Sequence, residues 1–479
     1  MKTTFKWDGK LVRFIERFID ISLALVLYIS SVVIIMKLPI NKIFAAGEIR
    51  RDLIIMSIVL LVGVFILFKT YKISITKRNY FNTMFRITIS LILVTLLLVI
   101  ASYINIHFSL RRISLLIMLA LQILVFAIIK GIAYLILKRV NIKEILIVGP
   151  KEEVHTLAKK ILNDSNSYNK LKYLAYSDDL NFEYDKIFDY IEEVDKVYFT
   201  EGLKIKNKNK IIDYCFQTNK SFYVVPKLYE LSINNAIAEQ AGDMLLYEVD
   251  NLGLTLEQRF LKRSFDLLLS IVLLVVTLPI TIITALAIKI SDRGPVFFKQ
   301  ERITINNKKF TLYKFRTMIP NAEKETGPVL ATSEDKRITK LGKFLRASRI
   351  DELPQLLNII KGDMSIVGPR PERDFFIKQF TQENNEYPHR LKVKAGVTGL
   401  AQALGTYNTN FNDKLRFDIY YITNYSFFSD INILLQTVMS IIDPDSSKGL
   451  SEERTIEEEL NNKKYQLLNA QDIYIKKIV

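Results

Sequence analysis

The chain has 479 residues, 49% of them apolar, and a net charge of +16 at pH 7 from 66 Lys and Arg against 50 Asp and Glu. So apolar a chain is not a disordered one; its single cysteine, Cys215, excludes a disulfide scaffold, and three scattered histidines (His107, His155, His389) exclude a Cys/His zinc site. What remains is a membrane-attached cytoplasmic enzyme or a membrane protein with large soluble parts, its positive charge suited to anionic lipid or a phosphate-bearing substrate.

Four uncharged stretches, at 21–36, 53–68, 87–108 and 113–129, are each flanked by Lys or Arg. About 20 apolar residues cross the hydrocarbon, a few fewer when flanking lysines snorkel, so four transmembrane helices are expected within residues 1–140. Fourteen basic residues lie at the N-terminus, in the second loop and after the fourth span, against six on the opposite side. Both ends of the bundle are therefore expected in the cytoplasm.

Residues 141–250 change character. Strands are predicted at Lys143–Gly149, Lys196–Thr200 and Ser221–Pro226, with a helix through Val154–Leu162. Alternating strands and helices predict a small Rossmann-like domain. Its first turn reads Gly149-Pro150-Lys151-Glu152-Glu153 and lacks the G-x-G-x-x-G glycines, so the unit is degenerate and a structural or regulatory role is favoured over nucleotide binding.

A fifth apolar stretch, Leu267–Ile288, is interrupted by Pro279 and has basic residues on both sides. A straight span would place the basic segment that follows outside the cell. Because proline removes a helix hydrogen bond and can bend a helix sharply, residues 264–290 are expected to form a re-entrant hairpin broken at Pro279; a kinked fifth span is the competing reading.

Phosphate-type chemistry concentrates in residues 291–445. In Phe310–Met318, Lys314 and Arg316 alternate with apolar residues and are expected on one face of a strand, suited to a diphosphate. In Arg346–Gly362, Leu353, Leu356, Leu357 and Ile360 mark an amphipathic helix starting near Asp351, with Pro354 in its first turn. Asp351 and Glu352 then sit at the helix N-terminus, where the dipole keeps carboxylates ionised for attack or metal binding, with Arg346 just upstream. Arg370 is clamped between Pro369 and Pro371, which lowers the entropic cost of holding a guanidinium against phosphate. Lys392–Gln402 is a weaker, Gly-containing candidate for backbone contact with phosphate. Ile431–Ile442 is too short to span, and the tail from Asp443 is expected to be a solvated helix without catalytic features.

Taken together, KRSFD (262–266), GPVFFKQER (294–302), YKFRTM (313–318), DELPQL (351–356), KGDMSIVGPRPE (361–372) and AGVTGLAQ (395–402) resemble, in order, the motifs of the bacterial sugar transferases, or polyprenyl-phosphate hexose-1-phosphate transferases, in their long form. Two places depart from the family pattern: Thr304 and Asn307 stand where it usually has glycines, and Ala395 where it usually has proline.

The resemblance implies a four-helix membrane region (1–140), a degenerate Rossmann-like cytoplasmic domain (141–250), an α/β catalytic domain (257–445) with a re-entrant helix at 264–290, and a polar tail (446–479). It implies an inner-membrane enzyme with a cytoplasmic catalytic domain and an Asp351–Glu352 dyad. Asp351 would attack the sugar-bearing phosphate of a UDP-hexose, UMP would leave, and undecaprenyl phosphate would take the phosphosugar. Glu352 would be associated with Mg²⁺, or Mn²⁺ in its place, and Arg346 and Arg370 would contact phosphate. The reaction would begin exopolysaccharide, capsule or O-antigen repeats. The implied partners are the bilayer, polysaccharide assembly proteins and a second copy in a homodimer, with no nucleic acid. A catalytically decayed scaffold and a transporter are the competing classes; the spans carry almost no internal charge to line a transport path.

Overall fold

The computed structural model describes residues 80–104, 112–140, 142–162, 169–177, 187–234, 236–249, 251–319, 335, 337–405, 409–442, 465–470 and 473–478, with isolated helical positions at 18–19, 22–23 and 26. These fall into two compact units, one of residues up to Ile142 with Asp164–Asn169 and one of the rest from Lys143 onward.

In the first unit, α1 (Tyr80–Ile104) and α2 (Arg112–Val140) carry the third and fourth expected spans. Ile87, Leu91, Val94 and Leu98 form one stripe at helical spacing and pack with Leu115, Met118 and Phe126. The outward positions are apolar too, Leu96, Leu116 and Leu124 among them. A helix apolar all round suits lipid, and both are long and apolar enough to cross a membrane. The first two expected spans lie outside the described residues, apart from the isolated positions.

In the second unit, β1 (Lys143–Pro150), α3 (Lys151–Leu162), β2 (Asn169–Ser177), α4 (Phe188–Glu192), β3 (Lys196–Phe199), α5 (Ile205–Gln217) and β4 (Ser221–Val224) follow in order. Strand β1 is parallel to β3, and β3 to β4. Period-2 alternation in β1 feeds both faces: Ile145 and Ile147 pack with Val154 and Ala158 of α3, while Leu146 and Val148 pack with Ile211 and Cys215 of α5. Then come α6 (Leu228–Ile233) and an antiparallel hairpin, β5 (Ile237–Ala241) with β6 (Met244–Glu248).

Helix α7 (Leu256–Asp292) opens with a reciprocal cap, Thr255 Oγ1 accepting from Gln258 N and Gln258 Oε1 accepting from Thr255 N. It runs through Pro279 without interruption. The proline removes the donor to the Val275 carbonyl but does not end the helix, so the expected break at Pro279 is not found. Near its start, Arg263 donates to the carbonyls of Ile359 (2.6 Å) and Ile360 (2.9 Å). Near its end, Ile288 is buried with Phe315 and Leu345. Between these anchors Leu268, Val275, Val276, Ile283 and Leu286 are exposed.

The chain continues with the antiparallel hairpin β7 (Phe297–Ile303) and β8 (Lys309–Phe315), α8 (Lys340–Ala347), α9 (Gln355–Lys361), β9 (Ser365–Val367), α10 (Asp374–Glu383), β10 (Gly396–Thr398), α11 (Leu400–Leu404), α12 (Phe411–Thr423) and α13 (Phe427–Ile442). The two departures in the family pattern meet here. Asn307 takes a left-handed φ of 60°, a conformation asparagine tolerates in place of glycine. The Thr304 hydroxyl donates to the Asp363 carbonyl (3.0 Å) and accepts from Ala395 N (3.1 Å), an N–H that proline would not have.

The tail corrects an expectation. Residues 465–478 are not a solvated helix: β11 (Tyr465–Ala470) and β12 (Ile473–Ile478) form a hairpin, and β12 pairs antiparallel with β2. The sheet order is β11-β12-β2-β1-β3-β4. Two six-residue runs rich in Leu, Ile and Tyr, separated by Gln471-Asp472, carry a strand signal that the acidic run before them outweighed in the composition. Residues 443–464 lie outside the described residues.

Candidate active site

The carboxylates Asp351 and Glu352 stand in a 3₁₀ turn, Ile350–Glu352, between α8 and α9. The expected helix N-terminus is displaced: α9 begins only at Gln355, and the turn is entered through Arg349 in the left-handed region (φ 57°). A non-glycine residue held there is strained backbone. The tight turn sets the two neighbouring carboxylates in different surroundings.

Asp351 is 7% exposed, and burial pushes its carboxyl above the ordinary range, against the pull of Lys314. Thus desolvation, more than a helix dipole, sets its character. Burial acts on Glu352 in the same direction but is overcome by cations: Lys314 Nζ is 2.7 Å away, the Arg370 guanidinium is 3.8 Å away and Arg349 adds its charge, so Glu352 is pulled down to about 2. Two adjacent carboxylates shifted in opposite directions can take different roles.

The structure thus gathers Asp351, Glu352, Lys314 and Arg370. Arg346, in the last turn of α8, donates from Nε to Thr317 Oγ1 (2.8 Å) and lowers the proton affinity of Asp351. Arg316 has another partner: its guanidinium lies over Gly294, where a side chain would meet it at 2.2 Å. Strand β8 ends at Phe315, with Arg316 N still donating to Val296 O (2.9 Å), and the two cations reach different partners: Lys314 meets Glu352 and Arg316 lies at Gly294.

The turn bearing Arg370 is built by backbone packing. Gly368 N donates to Thr398 O (2.8 Å), and Gly396 N to Pro369 O (2.9 Å). A side chain at Gly396 would meet Gly368 N at 2.1 Å. The glycines of the AGVTG loop therefore serve close approach to the proline-arginine turn; phosphate contact by that loop is not what they explain.

Arg349, which like Arg346 lies just upstream of the dyad in sequence, acts on both carboxylates. Two contributors are not evident from the sequence. Arg302 donates to Pro371 O (3.0 Å) and joins Lys314, Glu352, Gln355, Arg370 and Gly396 around a small pocket. Arg390, 5% exposed, donates to Arg370 O (3.0 Å), Asp418 Oδ2 (2.9 Å) and Tyr387 Oη (2.6 Å). Motif spacing could have flagged Arg302, within GPVFFKQER; Arg390 and Asp418 meet only through the fold.

Among the described residues no group of three or more His, Cys, Asp or Glu forms a metal cage. An ionised Glu352 beside Asp351 nevertheless fits Mg²⁺, which takes one or two carboxylates and fills its shell with phosphate oxygens and water.

Residues 257–444 match the family model described as bacterial sugar transferase. Over 186 residues the chain is 40% identical to the UDP-N-acetylgalactosamine-undecaprenyl-phosphate N-acetylgalactosaminephosphotransferase of Aeromonas hydrophila, covering 38% of this chain and 44% of that one. It is 42% identical over 182 residues to the uncharacterized sugar transferase EpsL of Bacillus subtilis (strain 168), covering 38% and 87%. It is 34% identical over 243 residues to the UDP-glucose:undecaprenyl-phosphate glucose-1-phosphate transferase of Escherichia coli (strain K12), covering 50% and 52%. The chain thus spans about half the length of the Aeromonas and Escherichia proteins and most of the Bacillus one.

Proposed function

Because this chain belongs to the bacterial sugar transferase family, we propose that it moves a hexose 1-phosphate from a UDP-hexose onto undecaprenyl phosphate at the cytoplasmic face of the inner membrane. The observation that carries this is the pair of adjacent carboxylates with opposite shifts, set among Lys314, Arg346, Arg349 and Arg370.

In the first step an Asp351 oxygen attacks the sugar-bearing phosphorus, the bond to the UMP oxygen breaks, and a phosphosugar-aspartyl anhydride remains. In the second, an oxygen of undecaprenyl phosphate attacks that phosphorus and releases the Asp351 carboxylate. The lipid phosphate is already ionised and needs no general base. Burial strips solvent from Asp351 and makes it the better nucleophile of the two. Glu352 stays charged to hold Lys314 and Arg370 in place, and with Asp351 it would hold Mg²⁺, which would supply charge neutralisation on the diphosphate.

Helix α7 serves the two-phase problem by entering the bilayer and returning through a bend at Pro279 that leaves the helix continuous. In support, both of its anchors, Arg263 and Ile288, rest on the catalytic body, the helix between them is apolar and exposed, and basic residues flank both ends.

The test is nucleotide release. Membranes carrying the protein are incubated with undecaprenyl phosphate, Mg²⁺ and a panel of UDP-hexoses, and UMP and UDP are measured separately. UMP release that depends on Asp351 is expected and identifies the sugar. UDP release would refute the covalent scheme, and no release with any donor would favour a decayed scaffold.

A further inference from the structure

Open α/β sheets bind ligands outside the carboxyl ends of their strands, where the strand order reverses. Here that point lies between β1 and β3, at Gly149 and Thr200. The chain fills it with its own groups. Glu153, in the first turn of α3, accepts from Gly202 N (2.8 Å), spanning the two strand ends. A side chain at Gly202 would run into the Glu153 carboxylate at 2.6 Å. The next carboxylate, Glu201, pairs with Arg416 of α12. Arg416 also donates to Pro226 O (3.2 Å), just beyond β4, and to Asp413 (2.7 Å), while Lys160 of α3 pairs with Asp413. Beneath this polar seam, Leu231 of α6 is buried in the catalytic core and Leu228 packs against it.

Helix α12 faces two ways. Positions 416 and 418 are about 200° apart around a helix, and Asp418 is 1% exposed and paired with Arg390 at 2.8 Å. Arg390 in turn holds the Arg370 carbonyl. A short run of contacts thus joins the upstream sheet to the proline-arginine turn: Glu201, Arg416, α12, Asp418, Arg390, Arg370.

We propose that the upstream α/β domain is a brace: its ligand crevice has become a dock for α12 of the same chain, and the dock fixes the turn that presents Arg370 to the donor diphosphate. Arg416, Asp418 and Arg390 are positioning residues. The role of the donor rests on the function proposed above; the dock itself does not.

The experiment uses the full chain in lipid nanodiscs. The variants are E201A, R416A and the charge-keeping R416K, assayed with whichever UDP-hexose releases UMP. The alanine variants should raise the donor KM about fivefold, the scale of one partly exposed ion pair, with kcat within about twofold. R416K should recover most of that loss. Amide hydrogen exchange at 368–371 and 387–392 should quicken in the alanine variants and slow again in R416K. A fall in active enzyme with unchanged KM and unchanged exchange would overturn the brace, as would saturable binding of NAD⁺ or ATP to wild-type protein with protection at 149–153 and 200–202. If no donor releases UMP, the proposed function fails, while the exchange measurement still decides the dock.

Discussion

The Asp351–Glu352 turn and the buried pair behind it use the same residue types to opposite ends. At the front, Asp351 and Glu352 sit in a strained turn, and cations pull one carboxylate down to about 2 while burial pushes the other up. At the back, Asp418 and Arg390 are 1% and 5% exposed and satisfy one another and the Arg370 carbonyl. On the function proposed above, the electrostatics of the front serve reactivity and those of the back serve geometry. Substitutions should separate the two: front variants change chemistry more than the fold, back variants change the fold first.

The largest expected effect is at the front. Asp351→Asn should lower kcat by about a thousandfold or more with a melting temperature equal to or above wild type, because a buried carboxylate is replaced by a neutral amide. A retained rate would sink the nucleophile assignment. Glu352→Gln should follow, with a loss of about a hundredfold in kcat and weaker Mg²⁺ dependence in a metal titration.

At the back, Arg390→Met alone strands a buried carboxylate and should cost about 3–5 kcal/mol in denaturant melts. The double variant R390M/D418L should recover most of that stability yet keep a raised donor KM. If it were as active as wild type, the buried pair would be dispensable for geometry and the contrast between front and back would collapse.

Acid titration sharpens the front itself. The Glu352 carboxyl lies near 2 in the fold against an ordinary 4.5, so its ionised form stabilises the fold above pH 4.5 and that stability is lost as pH falls toward 2. Asp351 is raised above 3.8, so the fold favours its protonated form and loses that advantage as pH rises through its folded value. The melting difference between wild type and E352Q should therefore shrink on acidification, and the advantage of D351N over wild type should shrink too. Parallel differences at pH 7 and pH 3.5 would contradict both shifts.

The smallest effect concerns the paired departures from the family pattern. Thr304→Gly or Ala395→Pro alone removes one end of a buried hydrogen bond and should cost about 1 kcal/mol. The double change should cost less than the sum, a coupling that a double-mutant cycle measures.

Much of this was legible in the sequence because it is local. Strand β1 announces itself in Lys143–Gly149, apolar on both faces, and Arg370 in its two prolines. The dyad was found by motif, but its setting was not. A Pro at 354 is compatible with a helix starting at Asp351, and nothing short of backbone geometry shows that Arg349 in a left-handed conformation inserts a 3₁₀ turn instead. Lys314 and Arg316 are joined by alternation, which sets a shared face but not the partner that each side chain reaches. Arg390 and Asp418 lie 28 residues apart and are matched only by packing. The hairpin at 465–478 is hidden from composition because the acidic and strand-forming parts of the tail are separate.

That hairpin also sets a schedule. Tyr474 pairs with Tyr176, about 300 residues earlier, and at translation rates of about 5–20 residues per second the partner strand emerges some 15–60 seconds later. During that interval β2 is an open edge, a place where a nascent chain is exposed to pairing with a neighbour on the same message. The upstream sheet must therefore wait, half edged, while the membrane helix and the whole catalytic region are being made, and a chaperone or the bilayer has that window in which to hold it.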